Sequence, residues 1–390
     1  MKDLSIAIVG AGIGGLTAAL GLQRAGFRVR VYEQAPRLMQ VGAGLSLSPT
    51  AAHGLRSIGM GPVLDEHGYA PEDQFIRSGQ DGRVLMLTNR GRTLLERFGE
   101  RYYLIHRADL HQGLAEAVRA NDPAAICLDR RLVRIERTGN SVRLEFADAS
   151  FEDAQALVAA DGQRSIVRER LFGPGAPQFT GYVAWRALIP MDRVPVRLEP
   201  RSGIFIGPGH NLNVYPVQKG KALNLVAFAE RNTWTEEGWS IPSTVDELRS
   251  EFQEWCEDVR SIIGAIPDGS LFKWGLFDRE PLANWSLDHA TLLGDAAHPV
   301  LPFLGHGAVL AIEDGVVLAR AFGAASSVPE ALSRYENARR ERASFVFNES
   351  RRAVRKFHGG DPARFTQAVD NKPVDEGLGL FAYDPSRIAV

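Results

Sequence analysis

The stretch that most restricts how this chain can fold lies at its start. Ser5-Ile6-Ala7-Ile8-Val9 is a short apolar run that stops at Gly10-Ala11-Gly12-Ile13-Gly14-Gly15, and Leu16 to Ala25 then reads as a helix. Arg28 to Glu33 alternates with the period of two that a strand requires. A strand, a G-x-G-x-x-G turn, a helix and a second strand ending on a carboxylate form a βαβ unit suited to a dinucleotide. The glycines Gly10, Gly12 and Gly15 serve a tight turn, the close approach of a pyrophosphate, and close helix–strand packing. The helix N-terminus adds unpaired N–H groups and the positive end of its dipole. Glu33 lies 23 residues after Gly10. A carboxylate there accepts bonds from both ribose hydroxyls and repels a 2′-phosphate, so FAD or NAD fits better than NADP. No second fingerprint follows, so any further redox partner must visit a site with no domain of its own.

The chain has 390 residues, enough for two domains with buried cores. A net charge of −2 gives no footprint for nucleic acid or anionic membrane. Two distant cysteines, Cys127 and Cys256, make neither a disulfide framework nor a zinc site, so no metal is expected and a reducing cytoplasm is the natural home. No apolar run has the length of a membrane helix, and Asp3 and the early glycines argue against reading the start as a signal peptide.

Residues 106–120 place Leu110, Leu114 and Val118 on one helical face, with Ala117 beside them. Two strands joined by Gly139-Asn140 follow, then the short apolar strand of ALVAADG. From about 175 to 280 the texture is β-rich, with YVAWRALIP, GIFIGPG, NLNVYPV and ALNLVAFAE separated by Gly and Pro; residues 244–264 read as helical. The stretch 290–320 returns to strand, turn and helix, and 329–357 is a charged helix before a loop-rich end. This predicts an α/β chain with a discontinuous Rossmann-like dinucleotide domain (1–72, 100–174 and 281–330). An inserted, largely antiparallel β-sheet substrate domain (73–99 and 175–280) and a C-terminal helical segment with its tail (331–390) complete it.

Two more segments carry chemistry. Asp161-Gly162-Gln163-Arg164-Ser165 follows one apolar strand, and Gly294-Asp295 follows another, ahead of a Pro/Gly turn and a helix starting near Ala308. In this order, and with YEQAP (32–36), VGAGLSLSP (41–49), HRADL (106–110), GYVAWRALIP (181–190) and NVYPV (213–217), the chain resembles the class A flavoprotein aromatic hydroxylases, the group with a p-hydroxybenzoate hydroxylase-like fold. Salicylate, 3-hydroxybenzoate and 6-hydroxynicotinate monooxygenases belong to it. The resemblance implies bound FAD, NADH or NADPH as transient co-substrate, and O2 reduced to a flavin hydroperoxide that an electron-rich aromatic acid attacks. Glu33 would hold the adenosine ribose, with Gln34 beside it. Arg107 would face the ribityl and phosphate part, Asp161 the pyrophosphate, and Asp295 a ribityl hydroxyl. Gly44, Gly294, Pro302, Gly307 and Ala308 would complete the cofactor wall. Taken singly, Asp161-Gly162 is also a plain turn, Arg107 a surface charge and Asp295 a helix cap; their joint order supports the functional reading.

A base that helps remove a phenolic proton suits histidine or tyrosine. His306, between two glycines, is one candidate or else a loop-ordering residue. Tyr215 is a second, or a packing aromatic, and His210 a third, or an exposed turn residue. His298 reads as structural, satisfying the turn's backbone. Ser46 and Phe303 stand where the 6-hydroxynicotinate branch has histidines, so that substrate is not expected. With Leu45, Leu47 and Trp185 they predict a less polar pocket, in which Arg186 either pairs with a carboxylate or lies on a solvated face. A halogenase signature is matched only by Trp239-Ser240-Ile241-Pro242, with Glu237 in place of its first tryptophan, and is read as coincidence. An oxidase or dehydrogenase is a further alternative on this fold. The arginine-rich stretch 339–357 is read as a solvated helix face rather than the partner surface of a non-enzymatic flavin-binding regulator. A monomer or homodimer is expected.

Overall fold

Strands buried on both faces need unbroken apolar runs, and two such runs, Ser5–Val9 and Ala156–Ala159, lie side by side at the centre of a six-stranded sheet. The computed structural model describes residues 3–38, 43–236, 238, 240–358 and 379–390, without the side chains of 355–358. Val41, Gly42, Glu237 and Trp239 of the segments above lie outside the described residues, as does most of the loop-rich end.

The six strands run in the order Ser286–Leu287, Ala290–Leu292, Ala156–Ala159, Ser5–Val9, Arg28–Tyr32, Ile126–Cys127. All pairs are parallel except the first. The strands ending at Val9, Tyr32, Ala159 and Leu292 therefore finish at the same end of the sheet, where parallel α/β sheets bind their ligands. Three turns, at Gly10, Asp161 and Gly294, each more than a hundred residues from the next, become neighbours for that reason. Behind them the helix Ile13–Arg24 packs on the helix Gly307–Ala324. The approach is close: a Cβ on Gly315 would sit 2.7 Å from the Ala18 nitrogen.

A separate three-stranded antiparallel sheet (Leu132–Thr138, Ser141–Phe146, Phe151–Ala154) flanks this layer. The β-rich region forms an eight-stranded sheet in the order Ile241–Pro242, Phe272–Asp278, Gln178–Pro190, Ala222–Glu230, His210–Val217, Gly203–Gly207, Asp73–Ser78, Val84–Asn89. Its pairs are antiparallel except Gly203–Gly207 with Asp73–Ser78. The α/β reading of the sequence thus holds. The helical stretch at 244–264 is two short helices, Val245–Glu251 and Glu257–Gly264.

Side chains alternate across a strand, and this decides which residues of the large sheet face which way. Val183, Trp185, Ala187 and Ile189 pack into a core with Leu248, Phe252, Val259 and Ile262 of the two short helices. Ala184 joins the opposite face, with Phe228, Trp274, Leu276 and Leu301. Trp185 is fully buried in the first core, its indole N–H donating to Ser243 Oγ at 3.2 Å, so it is a packing residue and not a wall of the substrate pocket.

The 31-residue helix Val328–His358 is also not simply solvated. Arg339 is fully buried and Arg342 nearly so, both paired with Glu313; Arg340 and Arg352 remain on the outer side. Among the described residues no helix is long and apolar enough to cross a membrane.

Replacing Trp185 by Ala should destabilise the protein by about 3–5 kcal/mol, the usual cost of emptying an aromatic site in a core. Thermal unfolding measures this; a change in ligand affinity with unaltered stability would return Trp185 to the pocket.

Candidate functional site

The neighbouring strand ends open into a cavity of about 500 Å³ that extends to the large sheet. Its first wall is the N-terminal turn. Gly10 adopts φ +101°, and a Cβ there would meet the Ala160 carbonyl at 2.4 Å, while one on Gly15 would lie 2.0 Å from the Gly10 oxygen. Neither residue tolerates a side chain. A Cβ on Gly12, by contrast, would meet nothing within 4 Å, because that glycine borders the cavity together with Ile13 and Gly14. The motif thus leaves an open cradle at the start of a helix, as an anionic diphosphate requires.

Glu33 braces this turn. One carboxylate oxygen accepts the Ala11 N–H at 2.9 Å and the other the Ala35 N–H at 2.9 Å, leaving lone pairs for ribose hydroxyls. Gln34 is exposed and does not line the cavity. Arg107, first residue of the helix Arg107–Asn121, lines it, its backbone N–H tied to the Ala43 carbonyl. One helical turn later, on the same face, His111 bonds the Ala11 carbonyl through Nε2 at 2.6 Å. Burial lowers its pKa, so the ring is a neutral donor fixing the fingerprint turn. That residue escaped the sequence reading, although the spacing to Arg107 marks it.

The second wall is the turn after Leu293. Gly294, at φ +62°, lines the cavity with Asp295. Asp295 opens onto the cavity, and the protein around it raises its carboxyl above the usual carboxylate range, against the pull of His298 and Arg107. The buried Arg168 donates to the carbonyls of Ala296 and Ala297, each at 3.1 Å. His298 is buried and bonds the Asp314 carboxylate at 2.7 Å through Nε2, so its partner is a carboxylate, not the backbone expected. Pro302, Phe303, Gly305, Gly307 and Ala308 continue this wall. One oxygen of the Asp161 carboxylate accepts the Val167 N–H at 3.3 Å at the start of a short helix, and the residue does not line the cavity; Gly162 and Gln163 line it instead, and Gln163 donates to the Phe277 carbonyl at 2.6 Å.

The far end is aromatic and cationic. Phe303 packs on Phe228 and Tyr182 at 4.9 and 5.6 Å between ring centres. Leu45 and Ser46 line the cavity, whereas Leu47 is fully buried in the adjoining core. The buried Arg186 stacks over Trp274 at 5.1 Å and donates to Ser240. Burial, with the like charge of Arg107, lowers it to about 10, a value at which it is still cationic at neutral pH. Arg90 and Tyr102, which no motif marked, also line this end; Arg90 donates to Gln74 at 2.9 Å and lies over the Tyr102 ring.

Of the three candidate bases, only Tyr215 faces the cavity. Its ring packs under Gly44, where a Cβ would come within 2.4 Å of Cε2, and Asn224 accepts the Gly44 N–H at 2.7 Å. Burial raises the tyrosine hydroxyl well above its ordinary value, so it stays protonated and acts as a hydrogen-bond partner. His210, five residues earlier on the same strand, points to the opposite face, against Phe252 and Trp255 and bonded to Glu251 at 3.3 Å. His306 also leaves the cavity: Nδ1 bonds the Leu304 carbonyl at 2.7 Å, and the ring stacks on Phe381. Burial drives its pKa down to about 4. Neither histidine lines the cavity.

A Rossmann-type strand end, an open glycine cradle and a cavity-facing aspartate define a dinucleotide-binding protein whose cavity continues on to an aromatic end. The chain belongs to the FAD binding domain family, whose model matches residues 3–350. It is 37% identical over 380 residues to a 3-amino-4-hydroxybenzoate 2-monooxygenase of Streptomyces platensis, covering 97% of this chain and 94% of that one. It is 34% identical over 386 residues to a 3-hydroxybenzoate 6-hydroxylase of Polaromonas naphthalenivorans, covering 94% and 95%. Among solved structures, Klebsiella pneumoniae HpxO complexed with FAD and uric acid superposes with a TM-score of 0.86 at 26% identity, over 97% of this chain and 96% of the other.

Two outcomes test these placements. Glu33→Ala should weaken FAD retention about tenfold or more, the scale of a lost hydrogen bond to a charged group; unchanged flavin content after purification would remove the assignment. His306 binds its proton less readily in the folded chain than in the unfolded one, so it contributes stability above pH 6.5 that is lost as the pH falls toward 4. The variant His306→Gln should show a flatter loss of stability across that window; a wild-type slope would contradict this.

Proposed function

We propose that the protein is an FAD-dependent monooxygenase that hydroxylates a hydroxy- or amino-substituted aromatic or N-heteroaromatic acid, with NAD(P)H as electron donor and O2 as co-substrate. The observation that carries this reading is the continuity of the cavity. One end is a glycine cradle beside Asp295, and the other is walled by Phe303, Phe228, Trp274 and Tyr215 with Arg186 among them. The two monooxygenase relatives are named for benzoates that bear a hydroxyl group, a ring and charge that such a chamber suits.

The residues present fit FAD. Gly12 and Gly14 with the following helix N-terminus would hold the diphosphate, Glu33 the adenosine ribose, Arg107 the diphosphate-to-ribityl region, and Asp295 a ribityl hydroxyl. Gly44, Gly294 and the N–H groups near Gly307 and Ala308 would border the flavin. Bound FAD supplies the two-electron link between a nicotinamide nucleotide and O2. The chain's own part is positioning and exclusion of water. Arg186 offers a cation to a substrate carboxylate, Phe303 a face for the ring, and Ser46 and Tyr215 hydroxyls for a phenol or amine. Tyr215, being protonated, would orient the phenolic oxygen through a hydrogen bond.

A panel of aromatic acids screened for stimulated NADH and NADPH oxidation, with products analysed after turnover in labelled O2, tests the proposal. The expected result is one labelled oxygen atom in the product of at least one acid. Stimulated oxidation with label only in peroxide or water would point to an oxidase, and no stimulation across a broad panel would sink the substrate claim.

A further inference from the structure

We propose that Asp314 is a positioning residue for Asp295, fixing from below the turn through which that aspartate reaches the cofactor. The proposal rests on the FAD reading of the cavity. Asp314 sits in the middle of the helix Gly307–Ala324, fully buried and away from the cavity. One carboxylate oxygen accepts two bonds from the turn itself, from the Gly294 N–H at 2.8 Å and from His298 Nε2 at 2.7 Å. Of the three residues between them in sequence, Asp295 directly follows Gly294. The other oxygen accepts from Arg339 Nε at 2.7 Å.

An isolated carboxylate could not remain ionised at this depth. Burial alone would raise Asp314, but His298 and Arg339 hold it down to about 2, so it is a full anion at neutral pH. Arg339 is in turn paired with Glu313 at 2.8 Å, and Glu313 with Arg342 at 3.1 Å. The C-terminal segment closes the cluster: Arg342 donates to the Leu380 carbonyl at 2.7 Å, and the Tyr383 ring lies 4.9 and 5.0 Å from the two guanidinium carbons. A charge held from several directions cannot shift without breaking several bonds at once, and the turn it grips inherits that rigidity. Gly294, at a positive φ that side chains disfavour, gains a donor–acceptor bond that selects this conformation.

The test uses the full-length protein stripped of flavin and titrated with FAD, following flavin fluorescence, with melting temperatures of the apo and reconstituted forms alongside. Two variants are compared with wild type. Asp314→Asn keeps shape but turns an N–H toward one of the groups the carboxylate accepts from. His298→Ala removes one grip on the turn and leaves the Arg339 pair intact. The expected FAD Kd rises roughly 10–100-fold for Asp314→Asn and roughly 3–10-fold for His298→Ala, and FAD raises the melting temperature of each variant less than that of wild type. A purely structural role would lower the apo melting temperature and leave the FAD Kd unchanged; that result overturns the proposal. If Asp314→Asn does not fold, His298→Ala decides alone. A wild type that takes up no FAD would sink the cofactor reading itself, whereas wild-type uptake with unchanged variants removes only the positioning role.

Discussion

The buried carboxylate of Asp314 is the point on which the turn at the cofactor end of the cavity depends. It ties a strand-end turn, the helix Gly307–Ala324 and the helix Val328–His358 to one another through Gly294, His298 and Arg339. Buried ion pairs are stabilising only when every partner is present, and removing one commonly costs about 3–5 kcal/mol. Arg168, bonded to the next two carbonyls of the same turn, grips it from the side. Asp295 is the one polar side chain of residues 294–298 left to face the cavity.

Around that fixed turn the site divides by chemistry. The glycine cradle offers N–H groups and no side chains; the opposite end offers flat apolar rings and guanidinium groups. Arg107 and Arg186 are both lowered by burial and repel one another, so an anion placed between them relieves an existing cost. A carboxylate on the proposed aromatic substrate would supply that anion.

Much of this was legible in the sequence, for reasons that are local. Gly10, Gly12, Gly15 and Glu33 declare themselves because a strand, a turn and a helix start occupy one continuous segment. Asp161-Gly162 and Gly294-Asp295 do so because each follows an apolar strand, and parallel neighbours bring such ends together. Strand alternation also decides two pairs of candidate residues. His210 and Tyr215 lie five residues apart on one strand, and Trp185 and Arg186 one apart, so in each pair only one residue can face the cavity. Tyr215 and Arg186 are the ones that do.

Other features had no local signal. His306 stands between two glycines, but its ring is drawn away from the cavity by Phe381, far along the chain. The arginines of the helix Val328–His358 look like a solvated face until Glu313 and Asp314 are seen to lie beneath two of them. Arg90 belongs to no motif and reaches the cavity only because the strand Val84–Asn89 joins the edge of a sheet built mainly from residues a hundred positions later.

The central claim, that one cavity serves both a flavin and an aromatic acid, is tested most directly by a crystal structure of the FAD-reconstituted protein soaked with a hydroxybenzoate. The account predicts the diphosphate at Gly12 and Gly14, a ribityl hydroxyl on Asp295, and the benzoate ring between Phe303 and Tyr215 with its carboxylate toward the arginines. A benzoate seated outside this cavity, or a flavin that fills it to the aromatic end and leaves no room for a second ring, would contradict it.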